Sequence, residues 1–191
     1  MPKIDAPTVA EHHSRRRQAL LSAAATLLAD KGLDGVTLAA VGAAAGLARS
    51  SVYQYFDSTP ALLAAVVEDV IPREIARLNL AVTAAGSPAE RLDAFVRATL
   101  ETAGDPTHTS LGALGHAALP PECMARIHEL HDEQRAPLRG VVAELGQPDP
   151  ELTVQLVMGM VAAAARAVAD GQPLERVVDR TLALVHAGLG V

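Results

Sequence analysis

From Ser14 onward the apolar positions recur every three or four residues. Leu20, Ala24, Leu27 and Leu28 share one face, and Lys31-Gly32 closes the run with a cation and a glycine. Ser14 is the expected cap of this first helix. Thr37 is expected to cap a second helix that turns Leu38, Val41 and Ala45 inward and ends at Gly46. A third starts after Leu47 and runs to Phe56. The polar stop Asp57-Ser58-Thr59-Pro60 then opens a fourth, with Ser58 or Thr59 as cap and Pro60 in the first turn. Leu62, Leu63, Val66, Val67 and Val70 form its apolar side, and Pro72 is expected to kink or interrupt it near Ile71.

Beyond the break at Ala85-Gly86-Ser87-Pro88, further helices are predicted around Leu92 to Leu100 and over residues 109–119, 122–145, 152–169 and 174–189. The last two differ in kind. Residues 152–169 are apolar nearly all round, whereas Leu174, Val177, Val178, Thr181, Leu182, Val185 and Leu189 make a single stripe. A helix apolar on every side needs cover on two sides, so this pair is expected to join another subunit. No stretch alternates with period two, and the fold class is therefore all-α.

Aromatic residues sharpen the picture. The chain has two Tyr, two Phe and no Trp, and three of these four fall at Tyr53, Tyr55 and Phe56. They close two short helices set around Gly46, the layout of a helix-turn-helix. Gly46 can take the positive φ of the turn. Gly42 and Ala45 are small where the helices cross, and Val41, Leu47, Val52 and Phe56 face inward. Arg49, Ser50, Ser51, Tyr53, Gln54 and Tyr55 remain for the outer face. Arg and Gln can pair with guanine and adenine edges, and Ser and Tyr can reach bases or phosphates.

Charge supports one nucleic-acid-facing end. The net charge is −6, but residues 1–56 hold six Lys/Arg against four Asp/Glu, and residues 57–191 hold ten against eighteen. Arg15-Arg16-Arg17 reads equally as a solvated face or as a contact to phosphate or the minor groove. Cys123 is the only cysteine, which excludes an intramolecular disulfide and suits a reducing compartment. No signal pattern opens the chain, and the most apolar stretch, residues 154–169, contains Gln155 and Arg166. A cytoplasmic protein without a membrane partner is expected.

With these residues in place, the segment from Gly32 to about Val67 resembles the DNA-binding region of the tetracycline-repressor (TetR) family of transcription regulators. The shared features are Gly32 and Thr37, the Ala45-Gly46-Leu47 turn, the Tyr53-x-Tyr55-Phe56 ending and Leu62-Leu63. The resemblance implies a homodimer built on the last two helices and an effector pocket in the larger domain. It departs at three points: Gly42 stands where Ala is usual, Tyr55 where His is usual, and Thr59 where a phosphate-binding Lys is usual.

The expected organisation is a mobile arm over residues 1–13, a three-helix DNA-binding domain over 14–58, and a ligand-binding and dimerisation domain over 59–191, with 59–79 as connecting helix. Arg15, Thr37 and Thr59 join the outer-face residues as expected contacts to a double-stranded DNA operator. Phe95, Leu111, Leu114, His116, Met124, His128 and Met158 are expected around a small-molecule effector. Val157, Val161, Ala165, Val178, Leu182 and Val185 are expected at the dimer interface.

His128-Glu129-Leu130-His131 lacks the four-residue spacing of a zinc-protease motif, and no metal or cofactor is expected. Nor does any nucleophile, phosphate loop or carboxylate pair suggest an enzyme. The reading is a ligand-responsive DNA-binding regulator, a repressor released by an apolar effector. The alternative is a helical sensor or interaction protein that has lost DNA binding, favoured by Thr59 and the acidic total.

Overall fold

The computed structural model describes residues 9–105 and 121–191, and these are all-helical. In chain order the helices are α1 (Val9–Lys31), α2 (Leu38–Ala44), α3 (Arg49–Val52), α4 (Thr59–Ala84), α5 (Pro88–Ala103), α6 (Pro121–Glu144), α7 (Pro150–Ala169) and α8 (Leu174–Leu189). A single 3-10 turn, Leu33–Gly35, follows α1.

Local chemistry sets the boundaries. The Thr37 hydroxyl accepts from Ala40 N at 3.1 Å and starts α2. Ser58, rather than Thr59, caps α4 by accepting from Ala61 N at 3.2 Å. Ser87 and Glu90 form a reciprocal capping box on α5, with Glu90 Oε2 accepting from both Ser87 N and Gly86 N. Asp149 caps α7 through Leu152 N.

Two apolar cores divide the molecule. The first gathers Leu20, Leu21, Ala24 and Leu28 of α1 with Val41, Val52 and Phe56, the start of α4 (Leu62, Leu63, Val66) and Ile127 and Leu130 of α6. The second gathers the end of α4 (Leu78, Val82), Leu92, Phe95, Val96 and Leu100 of α5, Leu138 and Val142 of α6, Val157 and Val161 of α7, and Val178 and Val185 of α8. Helices α4 and α6 run through both cores and tie the small head to the larger body.

Three expectations are corrected. Residues 9–13 are helical rather than part of an arm, so Ser14 lies inside α1 and caps nothing. Helix α4 continues through Pro72 without interruption, because apolar packing on both sides of it (Val66, Val67, Ile75, Leu78) outweighs one lost backbone hydrogen bond. The helix expected from Leu47 to Phe56 is one α turn, Arg49–Val52, followed by tight turns to Phe56. The helix expected over residues 109–119 lies outside the described residues.

The expected dimer residues are also redistributed. Val157, Val161, Val178 and Val185 are buried within the subunit's own second core, and Ala165 and Leu182 pack against it. Helix α7 is the described helix long and apolar enough to cross a membrane by length and composition, yet only 22% of that window is buried. It exposes Leu152 and Leu156, and α8 exposes Leu184.

Candidate nucleic-acid interface

The interface is built on the C-terminus of α2. Gly46 takes φ 69°, and Leu47 N donates to Gly42 O at 2.8 Å while Gly46 N donates to Ala43 O at 3.2 Å. This paired closure satisfies the last carbonyls of α2 and reverses the chain. Ala48 is extended and opens α3. Hydrogen bonds from Gln54 N to Ser51 O and from Phe56 N to Val52 O then wind the chain on past the last α residue.

That winding sorts the side chains. Val52 and Phe56 are buried, while Arg49, Ser50, Tyr53 and Gln54 stand together on the exposed side. Ser51 and Tyr55 lie between the two faces. Arg49 and Tyr53, one turn apart, engage each other: Arg49 Nη2 donates to the Tyr53 hydroxyl at 3.3 Å, and the guanidinium carbon lies 5.8 Å from the ring centroid. The accepting hydroxyl holds the Arg49 guanidinium above its ordinary pKa. Its planar fork is offered outward beside the Tyr53 ring.

Tyr55 departs from the outward role expected of it. It packs partly against the first core, and its ring is 4.5 Å from that of His13 at a 30° tilt. Arg17, one turn further along α1, lies with its guanidinium 5.5 Å from the Phe56 ring centroid. Arg15 is exposed on the same helix, Thr37 is exposed at the start of α2, and Thr59 is half-buried as the first residue of α4.

Sequence pattern alone missed the seam made by His13 and Arg17. A helical extension N-terminal to the first apolar position would have had to be assumed, and nothing in the periodicity demands it. The same holds for Asp69 of α4, which accepts from Gln18 of α1 at 3.1 Å and from Arg73 at 2.7 Å, pinning the head to the connecting helix.

Residues 20–66 match the family model for bacterial regulatory proteins, tetR family. The match covers the helix-turn-helix segment and parts of the helices on either side of it. Two curated relatives share the match. The chain is 31% identical over 96 residues to the HTH-type transcriptional repressor KstR2 of Mycolicibacterium smegmatis, an alignment covering 50% of this chain and 47% of that protein. It is 31% identical over 97 residues to the HTH-type transcriptional regulator BetI of Rhizobium meliloti, covering 51% and 45%. The chain thus spans about half the length of the curated relatives it matches. The fold as a whole is similar to the transcriptional regulator FadR of Bacillus subtilis in complex with stearoyl-CoA, with a TM-score of 0.75 at 19% identity, covering 88% of this chain and 96% of that one.

Within the larger body, the expected effector residues are dispersed. Phe95 is sealed in the second core, Met124 packs on the first, and His128 is exposed on α6. Leu111, Leu114 and His116 lie outside the described residues. Met158 lines a groove of about 490 Å³ between α6 and α7, whose other walls include Arg135, Arg139, Glu151 and Gln155. A separate groove of about 370 Å³ on the outer side of α7 and α8 is mostly apolar, lined by Met160, Ala163, Ala167 and Leu184, with Arg176 and Arg180 at its edge. Among the described residues, no cluster of three His, Cys, Asp or Glu could hold a metal ion.

Proposed function

We propose that the protein is a homodimeric, cytoplasmic transcription regulator that represses by occupying an operator and is released by a small apolar effector. The observation that carries this reading is the exposed face of Arg49, Ser50, Tyr53 and Gln54 on a short helix set by the Gly46 turn. A helix presented in this way enters the major groove, and a dimer presents two of them to neighbouring half-sites. Arg49 and Gln54 read base edges. Ser50, Ser51, Tyr53, Tyr55, Thr37, Thr59 and Arg15 contact phosphate, sugar or base at the margins.

The domain division proposed is a DNA-binding head ending at residue 58 and a body from residue 59 onward for ligand and partner. Dimerisation is assigned to the outer side of α7 and α8, where Leu152, Leu156 and Leu184 are exposed. The effector is assigned to the body, bounded by α5, α6 and α7. The FadR neighbour carries stearoyl-CoA, which supports an effector with an apolar chain. An effector that favours the spacing unsuited to DNA must itself bind less tightly when DNA is present.

The test is a gel shift with the full chain and the DNA upstream of its own gene, followed by competition with lipophilic neutral compounds, acyl thioesters and flat cationic dyes. Retardation that lipophilic compounds or thioesters reverse supports the proposal. No retardation of that fragment or of genomic fragments sends the protein to the class of sensors without DNA binding. Release by cationic dyes alone overturns the effector class.

A further inference from the structure

The groove between α6 and α7 has two chemically distinct walls. Val154, Met158 and Ala162 of α7 give it an apolar floor. Its α6 rim is cationic, because Arg135 and Arg139 stand one turn apart and both line it. At about 490 Å³ it lies within the range of small-molecule clefts, about 300–1,000 Å³.

The two arginines have donors to spare. Elsewhere in the body guanidinium groups sit close on carboxylates: Arg91 on Glu144 at 2.8 and 2.5 Å, Arg97 on Glu175 at 2.9 Å, and Arg126 on Glu129 at 2.9 Å. Among the described residues, Arg135 reaches Asp132 alone, at 3.4 Å. Arg139 shares that same Asp132 oxygen at 3.5 Å, and lies 3.5 Å from the Asp132 carbonyl and 3.7 Å from Glu151. All four distances exceed the ordinary range of an N–H···O bond. Asp132 and Glu151 are exposed and screened by water, whereas both arginines are half-buried. A guanidinium fork matches a carboxylate or phosphate in two-point contact, and neither fork is filled.

Gly159 lies on the same floor. A Cβ there would meet no atom within 4 Å, so packing inside the subunit does not require this glycine, a residue disfavoured in a helix interior. The space above it is open.

We infer that the α6–α7 groove binds an anionic amphiphile. Arg135 and Arg139 hold its terminal oxyanion, a carboxylate or a phosphate, and its alkyl chain runs along Val154, Met158, Gly159 and Ala162. This deepens the proposed function by giving the effector a charged end, and it rests on the assignment of the effector to the body.

The test is isothermal titration calorimetry of the full chain with decanoate, decyl phosphate, decanol and decyltrimethylammonium, each below its micelle concentration. The anions are expected to bind about ten- to a hundredfold more tightly than decanol, the ratio of a charge-assisted contact, and the cation not to bind. The tighter anion identifies the head group. Arg135→Gln with Arg139→Gln is expected to bring both anions down to the affinity of decanol and to leave decanol unchanged. Gly159→Leu, which fills the floor, is expected to weaken every binder without changing sedimentation.

Wild-type helicity and melting temperature establish that each variant is folded; if one is not, the order of the four probes on the wild-type protein decides by itself. Equal affinity for decanol and the anions overturns the anion site and leaves an apolar effector in place. Tightest binding of the cation overturns it as well, because Asp132 and Glu151 then set the sign of the groove. An anion preference that survives the folded double variant overturns the assignment to Arg135 and Arg139. Altered sedimentation of Gly159→Leu overturns the role of Gly159 in the floor and places it in a contact between subunits. Binding of none of the probes overturns the groove as a ligand site, while the gel shift reports DNA binding independently.

Discussion

Gly42 of α2 and Val52 of α3 are matched across the helix crossing. A Cβ on Gly42 would lie 2.7 Å from Val52 Cγ2 and 3.1 Å from the Leu47 carbonyl oxygen. Helix propensity alone scores Gly42 as a loss of about 0.5–1 kcal/mol relative to Ala. The crossing reverses that judgement, because overpacking a filled contact costs about 1–3 kcal/mol. Gly42→Ala is expected to lower stability by about 1–2 kcal/mol. In a Val52→Ala background the same change should cost less, since the clashing methyl is gone and only the 3.1 Å approach to the Leu47 carbonyl remains. Thermal melts of the four proteins of this cycle decide it, and additive effects would refute the steric account.

Arg49→Ala is expected to cost about 1–3 kcal/mol on the preferred operator and to relax preference at one base position. Tyr53→Phe keeps the ring beneath the guanidinium and removes the hydroxyl that accepts from it. It should lower the ratio of specific to non-specific affinity while leaving non-specific binding near wild type. Tyr53→Ala should weaken both. Binding to a library of single-base operator variants distinguishes these patterns.

Dimerisation should depend on side chains that the subunit leaves outside. Leu156 is 61% exposed and Leu184 48%, whereas Val161 and Val178 are at most 1% exposed. Leu156→Glu with Leu184→Glu is expected to give a folded monomer at micromolar concentration by sedimentation. Val161→Glu should instead unfold the subunit, because a buried unpaired charge is not tolerated. A native chain that sediments as a monomer would end the dimer assignment.

The capping box on α5 should make stability depend on acid. The backbone amide of Ser87, aided by its hydroxyl and by the Gly86 amide, holds the Glu90 carboxyl below its ordinary value. A depressed carboxylate adds stability above its unfolded pKa and loses it as pH falls through the folded value. Glu90→Ala should therefore melt below wild type at pH 7, and the gap should close as the solution is taken below pH about 4. A gap independent of pH would place the effect in helix packing instead.

What the sequence determined by itself is whatever acts within one or two helical turns. Thr37 as a cap, Gly46 as the turn and the Ala85–Pro88 break all declare themselves through neighbours a few residues away, and the head motif followed from the first two. The exposed Arg49–Tyr53–Gln54 face was legible for the same reason, since Val52 and Phe56 identify the opposite side.

Tertiary structure alone decided the matters that depend on distant partners. Helix α7 is apolar all round, so no local pattern says that Val157 and Val161 turn inward while Leu156 turns out; only the packing of α5, α6 and α8 against it chooses. Likewise α1 begins at Val9 rather than Ser14, where His13 and Arg17 find the aromatic rings of residues 55 and 56, some forty positions along the chain. Gly42 looked like a defect until Val52 was placed against it. Propensity is a property of single residues, whereas burial and facing are set by whichever surfaces the fold brings together.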